Sequence, residues 1–212
     1  MTGVKHIFIT GTDTGVGKTI VSAILTAGLE ATYWKPIQCG LRERTDSEIV
    51  RDATGLSEVH FIEETYKLSQ PLSPHAAAEH DQVRIDLSHF HIPEEVLASN
   101  LIVEGAGGVM VPLNENEFMI DLMKRLNMPV ILVARSSLGT INHTILSLNA
   151  LQSHGLEVLG VVMNGPKNLS NKEALEKYGN IRVLAEIEPI DDINTIDMSC
   201  FYRKVFPGGI FI

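Results

Sequence analysis

Nine residues, Gly11-Thr12-Asp13-Thr14-Gly15-Val16-Gly17-Lys18-Thr19, constrain this chain more than any others. They follow the apolar run Ile7-Phe8-Ile9-Thr10 and precede Ile20-Val21-Ser22-Ala23-Ile24-Leu25. A glycine-rich turn between a strand and a helix gathers backbone N–H groups at the positive end of the helix dipole, which makes a phosphate site. In such a loop Lys18 reaches the β- and γ-phosphates and the Thr19 hydroxyl can ligate Mg²⁺. One position departs from the usual spacing: Thr12 stands where the first glycine is expected, and Gly11 lies one residue earlier. A fortuitous Gly-Lys-Thr in an ordinary turn is the competing reading, and the strand-like and helix-like flanks count against it.

The 212 residues suit one α/β domain. A hydrophobic content of 44% is enough for a core without crosslinks. The net charge of −9, from 17 basic and 26 acidic residues, leaves no basic surplus for a nucleic-acid backbone. Cys39 and Cys200 are isolated, as in reduced cytoplasmic proteins. There is no signal-peptide pattern, and no run approaches the roughly 18 apolar residues that span a bilayer.

Strand and helix signals alternate along the chain. Strands are expected at Ile7–Thr10, Tyr33–Lys35, Leu101–Val103, Val130–Val133, Val158–Met163 and Val183–Ile187. Helices are expected at Thr19–Leu29, at Asp46–Ala53 closed by Gly55, and at Pro93–Ala98 with proline in the first turn. Further helices are expected at Phe118–Leu126, at Thr140–Ser153, and at Ser170–Tyr178 with Ser170 as cap and Glu173 completing a capping box. Residues Glu58–Ile92 read as irregular, and Phe201–Ile212 has no firm assignment. Alternating strands and helices imply an α/β fold: a single P-loop NTPase-like domain over residues 1–212, with a mostly parallel sheet and helices on both faces. Ligands then lie beyond the carboxyl ends of the strands. That rule gathers the phosphate loop, Lys35, Glu104 and Asn164 at one edge.

Lys35, before Pro36, is either a charge stabilising a developing anion or a lysine snorkelling from a strand end. Glu104 follows a strand and precedes Gly105-Ala106-Gly107-Gly108, whose backbone can approach a ligand. Asp46 is either a second carboxylate for Mg²⁺ or the N-cap of its helix. Thr140 and Ile141 open a helix whose first N–H groups can meet an anion or simply be capped. The eight histidines show no metal-binding spacing, and Cys39 has no activating base nearby in sequence.

Taken together, these motifs resemble the dethiobiotin synthetase family. The resemblance rests on the phosphate loop, Lys35-Pro36-Ile37, Thr45-Asp46, Ser73-Pro74-His75, Glu104-Gly105-Ala106-Gly107-Gly108, Pro129–Val133 and Leu138-Gly139-Thr140-Ile141-Asn142-His143. It runs from the N-terminus to about Asn164 and thins beyond it.

The resemblance implies an ATP- and Mg²⁺-dependent closure of 7,8-diaminononanoate with CO₂ to dethiobiotin, through a carbamate and a carbamic–phosphoric anhydride. It implies catalytic roles for Lys18 and Lys35. Nucleotide contacts would come from Gly15, Val16, Gly17, Lys18, Thr19, Ile20, Asp46, Glu104, Gly105, Ala106, Gly107 and Asn164. Metal contacts would come from Thr19, Asp46 and Glu104, and substrate contacts from Thr12, Lys35, Cys39, Thr140, Ile141 and Asn142. It also implies a homodimer, in which the Thr140–Ile141 backbone and Asn142 of the partner subunit receive the substrate carboxylate. Cys39 stands where the family more usually has serine or threonine, and a thiol is the weaker hydrogen-bond partner. Adenine contacts are expected near Ile187-Glu188-Pro189.

Two other readings compete. A nucleotide-driven partition ATPase of the same fold group often carries an additional lysine early in the loop, where this chain has Thr12 and Asp13. An amide-forming relative commonly adds a domain that supplies ammonia, for which 212 residues leave no room.

Overall fold

The computed structural model describes residues 5–210. Strand β1, His6–Gly11, is followed by α1, Lys18–Gly28, and then by two three-residue strands, β2, Thr32–Trp34, and β3, Ile37–Cys39. Helix α2, Asp46–Thr54, leads into β4, Phe61–Ile62, β5, Tyr66–Leu68, and α3, Pro74–His80. The remainder alternates regularly: β6, Leu101–Gly108; α4, Met119–Leu126; β7, Val130–Arg135; α5, Thr140–Ser153; β8, Val158–Asn164; α6, Leu169–Tyr178; β9, Val183–Ile187; and α7, Met198–Val205.

Seven strands form one sheet in the order β4-β2-β6-β1-β7-β8-β9, and every pairing between them is parallel. Strands β3 and β5 form a separate two-stranded parallel sheet. The central strands are apolar on both faces, as a covered parallel sheet requires. Alternation along them divides the core into two clusters. Ile7, Ile9, Tyr33, Ile102, Ile131 and Val133 pack with residues of α1, α2 and α7. Phe8, Trp34, Val103, Val130 and Leu132 pack with α3, α4, α5 and α6.

The expected parallel sheet with helices on both faces is therefore present, and several local expectations are corrected. The stretch from Glu58 to Ile92 is not wholly irregular: it supplies β4, β5 and α3. These strands span only two or three residues, too short for alternation to register. Pro93–Ala98 forms only a 3₁₀ turn over Glu94–Val96, with Pro93 preceding it. Ser170 does not cap its helix; Asn168 does, accepting from the Asn171 N–H at 3.0 Å. Helix α7, capped by Asp197, runs into the unassigned C-terminal stretch from Phe201 to Val205 and closes over α1. Residues 211 and 212 lie outside the described residues.

Candidate active site

The phosphate loop keeps its shape through contacts of its own. Gly17 takes a left-handed φ of 99° at the start of α1. A Cβ there would lie 2.1 Å from Asn164 Nδ2, so glycine is required on two grounds. Asn164, at the end of β8, donates from Nδ2 to the Val16 carbonyl at 3.0 Å and braces the loop from two strands away. Lys18 bends back to donate to the Asp13 carbonyl at 3.1 Å. The Asp13 carboxylate in turn meets Arg135 at 2.9 Å.

Register brings the charged residues together. Tyr33 lies opposite Ile102, and Trp34 opposite Val103. One step further along both strands, Lys35 stands beside Glu104. The Lys35 ammonium lies 2.9 Å from Glu104 Oε1 and 2.8 Å from Asp46 Oδ2, and it also donates to the Gly105 carbonyl at 3.3 Å. Thr19, in the first turn of α1, donates to Asp46 Oδ1 at 2.5 Å and lies 3.2 Å from Glu104 Oε1. Lys35 and Glu104 are almost fully buried. Lys35 is therefore no snorkelling lysine.

Asp46 is free for this role because Thr45 caps α2. The Thr45 hydroxyl accepts from the Glu48 N–H, while the Glu48 carboxylate accepts from the Thr45 N–H at 2.8 Å. The alternative in which Asp46 caps its own helix is thereby removed. Gln38 supports the same turn, its Oε1 accepting from the Asp46 N–H at 3.1 Å.

Burial works against the Lys35 charge, but Glu104 and Asp46 override it and hold its pKa above that of a free lysine. The Asp46 carboxyl is likewise opposed by burial, yet Lys35 and the Thr19 hydroxyl hold it below the usual carboxylate range. Lys18 has weaker anionic support. Burial, and then the nearby Lys35 charge, bring it down to about 8. Burial pushes the Cys39 thiol up to about 11, which leaves it a poor nucleophile. Tyr33, reaching Glu104 Oε2 at 2.9 Å, is pushed well above its ordinary value by burial and then by Glu104 and Asp46, and so remains a donor.

Lys18, Thr19, Lys35, Gln38, Cys39, Asp46 and Glu104 all line one cavity of about 890 Å³. Its phosphate end is lined by Gly15, Gly17, Lys18 and Thr19, and its charged wall by Lys35, Asp46 and Glu104. Cys39, Ser73, Pro74, Ala106 and Gly107 line it beyond that wall. Beside Gly107, strand β6 slips register against β1: Ile9 pairs with Glu104 but Gly11 with Gly108. The chain between bulges, with Gly107 at a left-handed φ of 67°. Ile20, Ile49, Ile190 and Ile193 form a more apolar wall, together with Asp191 and Asp192. These last residues follow the Ile187–Pro189 segment where base contacts were expected.

Thr12 lies elsewhere, in an adjoining pocket of about 300 Å³ that shares Thr14 and Val111 with the main cavity and is walled by Leu146 and Ser147 of α5. Thr140, Ile141 and Asn142 do not line the cavity that holds Lys35. The Thr140 N–H donates to the Ser137 carbonyl at 3.2 Å, so it is not the free donor expected, and Ile141 is left as the candidate. Tyr33 and Gln38 escaped the sequence reading. Strand alternation held the signal for Tyr33, which must share a face with Lys35 two residues on. Gln38 had none, because its partner is a backbone N–H.

The donor set suits a hard divalent cation. Thr19 Oγ1, Asp46 Oδ1 and Glu104 Oε1 are oxygen atoms turned toward one another, beside a phosphate site that could complete the shell. Among the described residues, no cluster of three or more His, Cys, Asp or Glu side chains offers an alternative.

A phosphate loop feeding α1, two carboxylates and a buried lysine at the carboxyl edge of a parallel sheet define a P-loop nucleotide-dependent protein. A family model described as an AAA domain matches residues 5–196. The chain is 52% identical over 186 residues to the ATP-dependent dethiobiotin synthetase of Paramagnetospirillum magneticum, covering 88% of this chain and 89% of that one. It is 41% identical to the enzyme of that name from Rhodopseudomonas palustris strain TIE-1, covering 98% and 97% of the two chains. It belongs to the ATP-dependent dethiobiotin synthetase family, and so to the ligases. Among solved structures, a ParA family ATPase from Chlorobium tepidum superposes with a TM-score of 0.56 at 12% identity, over 98% of this chain and 95% of that one, a likeness of fold alone. No helix among the described residues is long and apolar enough to cross a membrane.

Proposed function

We propose that this chain, as one domain, closes 7,8-diaminononanoate with CO₂ to the cyclic urea dethiobiotin at the expense of ATP. The observation that carries this reading is the convergence of Lys18, Thr19, Lys35, Asp46 and Glu104 on one cavity beside the phosphate loop. In the proposed reaction one amine of the diamine adds to CO₂ and loses a proton, giving a carbamate. A carbamate oxygen attacks the γ-phosphorus, and the bond to ADP breaks. The second amine then attacks the carbamic carbon of the mixed anhydride and expels phosphate.

Two anions must meet for the phosphoryl transfer, and the charges in the site decide whether they can. Lys18 and Lys35 together balance Asp46 and Glu104, so the four side chains sum to no net charge. Mg²⁺, when bound at Thr19, Asp46 and Glu104, would supply two further positive charges. Lys18 and the N–H groups of Gly15–Lys18 face the triphosphate. Lys35, held between two carboxylates, stabilises charge developing on the transferred phosphoryl group and the carbamate. Cys39 and Ser73 line the side of the main cavity that takes the diamine, and Thr12 lines the adjoining pocket. Asn164 and the Ile190–Ile193 wall take the base.

The family resemblance supports a homodimer in which the partner's Ile141 N–H and Asn142 side chain anchor the distal carboxylate. Free thiols at Cys39 and Cys200 agree with a reducing compartment. The test is turnover: with ATP, Mg²⁺ and bicarbonate, phosphate release is expected only when the diamine is added. Phosphate release that ignores the diamine and answers to a protein or DNA partner would overturn the reading in favour of a switch ATPase.

A further inference from the structure

Among the described residues Glu104 has three side-chain partners, and they divide between its two oxygens. Lys35 and Thr19 both face Oε1, at 2.9 and 3.2 Å. Among the described residues, Tyr33 alone donates to Oε2, at 2.9 Å. Both the tyrosine and the glutamate are buried. The terminal torsion of a glutamate is broad and nearly two-fold, so an unrestrained carboxylate exchanges its oxygens by turning. The Tyr33 ring cannot follow such a turn. It packs edge-on to Phe61, with centroids 6.2 Å apart at 61°, and the Arg51 guanidinium covers the Phe61 ring at 5.1 Å. A buried phenol needs a hydrogen-bond partner, and a backbone carbonyl would suffice for packing alone. Here the partner is a carboxylate of the reaction site.

We infer that Tyr33 is a positioning residue: its hydroxyl fixes Glu104 Oε2 and thereby presents Oε1 to Thr19, Lys35 and the divalent cation. The inference rests on the reading of Thr19, Asp46 and Glu104 as the metal-binding set. Outer partners of metal ligands act on affinity through orientation, typically by about 10–100-fold.

The test is calorimetric titration of the purified full-length protein with ADP, once with Mg²⁺ and once with a chelator. Tyr33→Phe keeps the ring and removes the donor. It is expected to weaken Mg²⁺-dependent ADP binding by about 10-fold while leaving metal-free ADP binding unchanged. Phe61→Leu disturbs the same packing and keeps the hydroxyl; it is expected to lower the melting temperature without altering the Mg²⁺ dependence. In a Glu104→Gln background, Tyr33→Phe is expected to change nothing further. An unaltered Mg²⁺ dependence in Tyr33→Phe, or an equal change in Phe61→Leu, overturns the positioning role. A wild-type protein whose ADP affinity ignores Mg²⁺ overturns the metal reading itself, and the inference with it. None of these measurements uses the diamine, so they stand apart from the identity of the substrate.

Discussion

Lys18 and Lys35 occupy one cavity under opposite electrostatic conditions. With its pKa near 8 in the free protein, Lys18 loses its proton as pH rises through that value. A bound triphosphate favours the charged form, so binding above about pH 8 must draw a proton from solution. Nucleotide affinity is therefore expected to fall as pH rises through that region. Binding enthalpy there should vary with the ionisation enthalpy of the buffer, and in Lys18→Met that variation should disappear. Lys35 stays charged throughout, because Glu104 and Asp46 outweigh its burial. Lys35→Ala is expected to lower kcat by about 100–1000-fold, the range for losing one preorganised charge in a transition state. The two carboxylates it leaves behind repel each other, and a divalent cation relieves that repulsion. Mg²⁺·ADP binding should then be retained or tightened in calorimetry; its loss would show that Lys35 serves binding more than chemistry.

At the scale of elements, the start of α2 matters more than its length suggests. Thr45 and Glu48 satisfy the first turn, and Asp46 is thereby turned toward Thr19 and Lys35. Thr45→Ala is expected to destabilise the fold by about 1 kcal/mol, a fall of roughly 2–4 °C in melting temperature. It should also raise the Mg²⁺ concentration for half-maximal turnover. A melting shift without a change in Mg²⁺ requirement would mean that Asp46 keeps its place without the cap. Elements with long periodic signals were legible in the sequence: β7, α5, β8 and β9 lie where their apolar runs place them. The phosphate loop, Lys35 and Glu104 were legible because motif and strand end coincide. The short strands β3, β4 and β5 were not, because pairing rather than pattern defines them. The choice between Thr45 and Asp46 as cap turned on a side-chain direction that no spacing encodes.

At the scale of the molecule, the proposed dimer divides the site between subunits. Lys35 faces the main cavity, whereas Thr140–Asn142 lie away from it in the same chain. If the partner completes the site, Asn142→Ala raises the KM for the diamine and spares analogues lacking the carboxylate. Mixing Lys35→Ala with Asn142→Ala subunits gives one intact site in each mixed dimer. At low diamine concentration, roughly a quarter of wild-type activity should return on random mixing. No recovery would place both residues at the site of one subunit.

The phosphate loop is braced from within, by Lys18 on the Asp13 carbonyl and by Asn164 on the Val16 carbonyl. An incoming phosphate that takes the Lys18 ammonium exchanges one oxygen partner for another instead of stiffening a slack segment. Little conformational entropy is lost in that exchange. Nucleotide capture is thus closer to a plug entering a moulded socket than to a hand closing on its object.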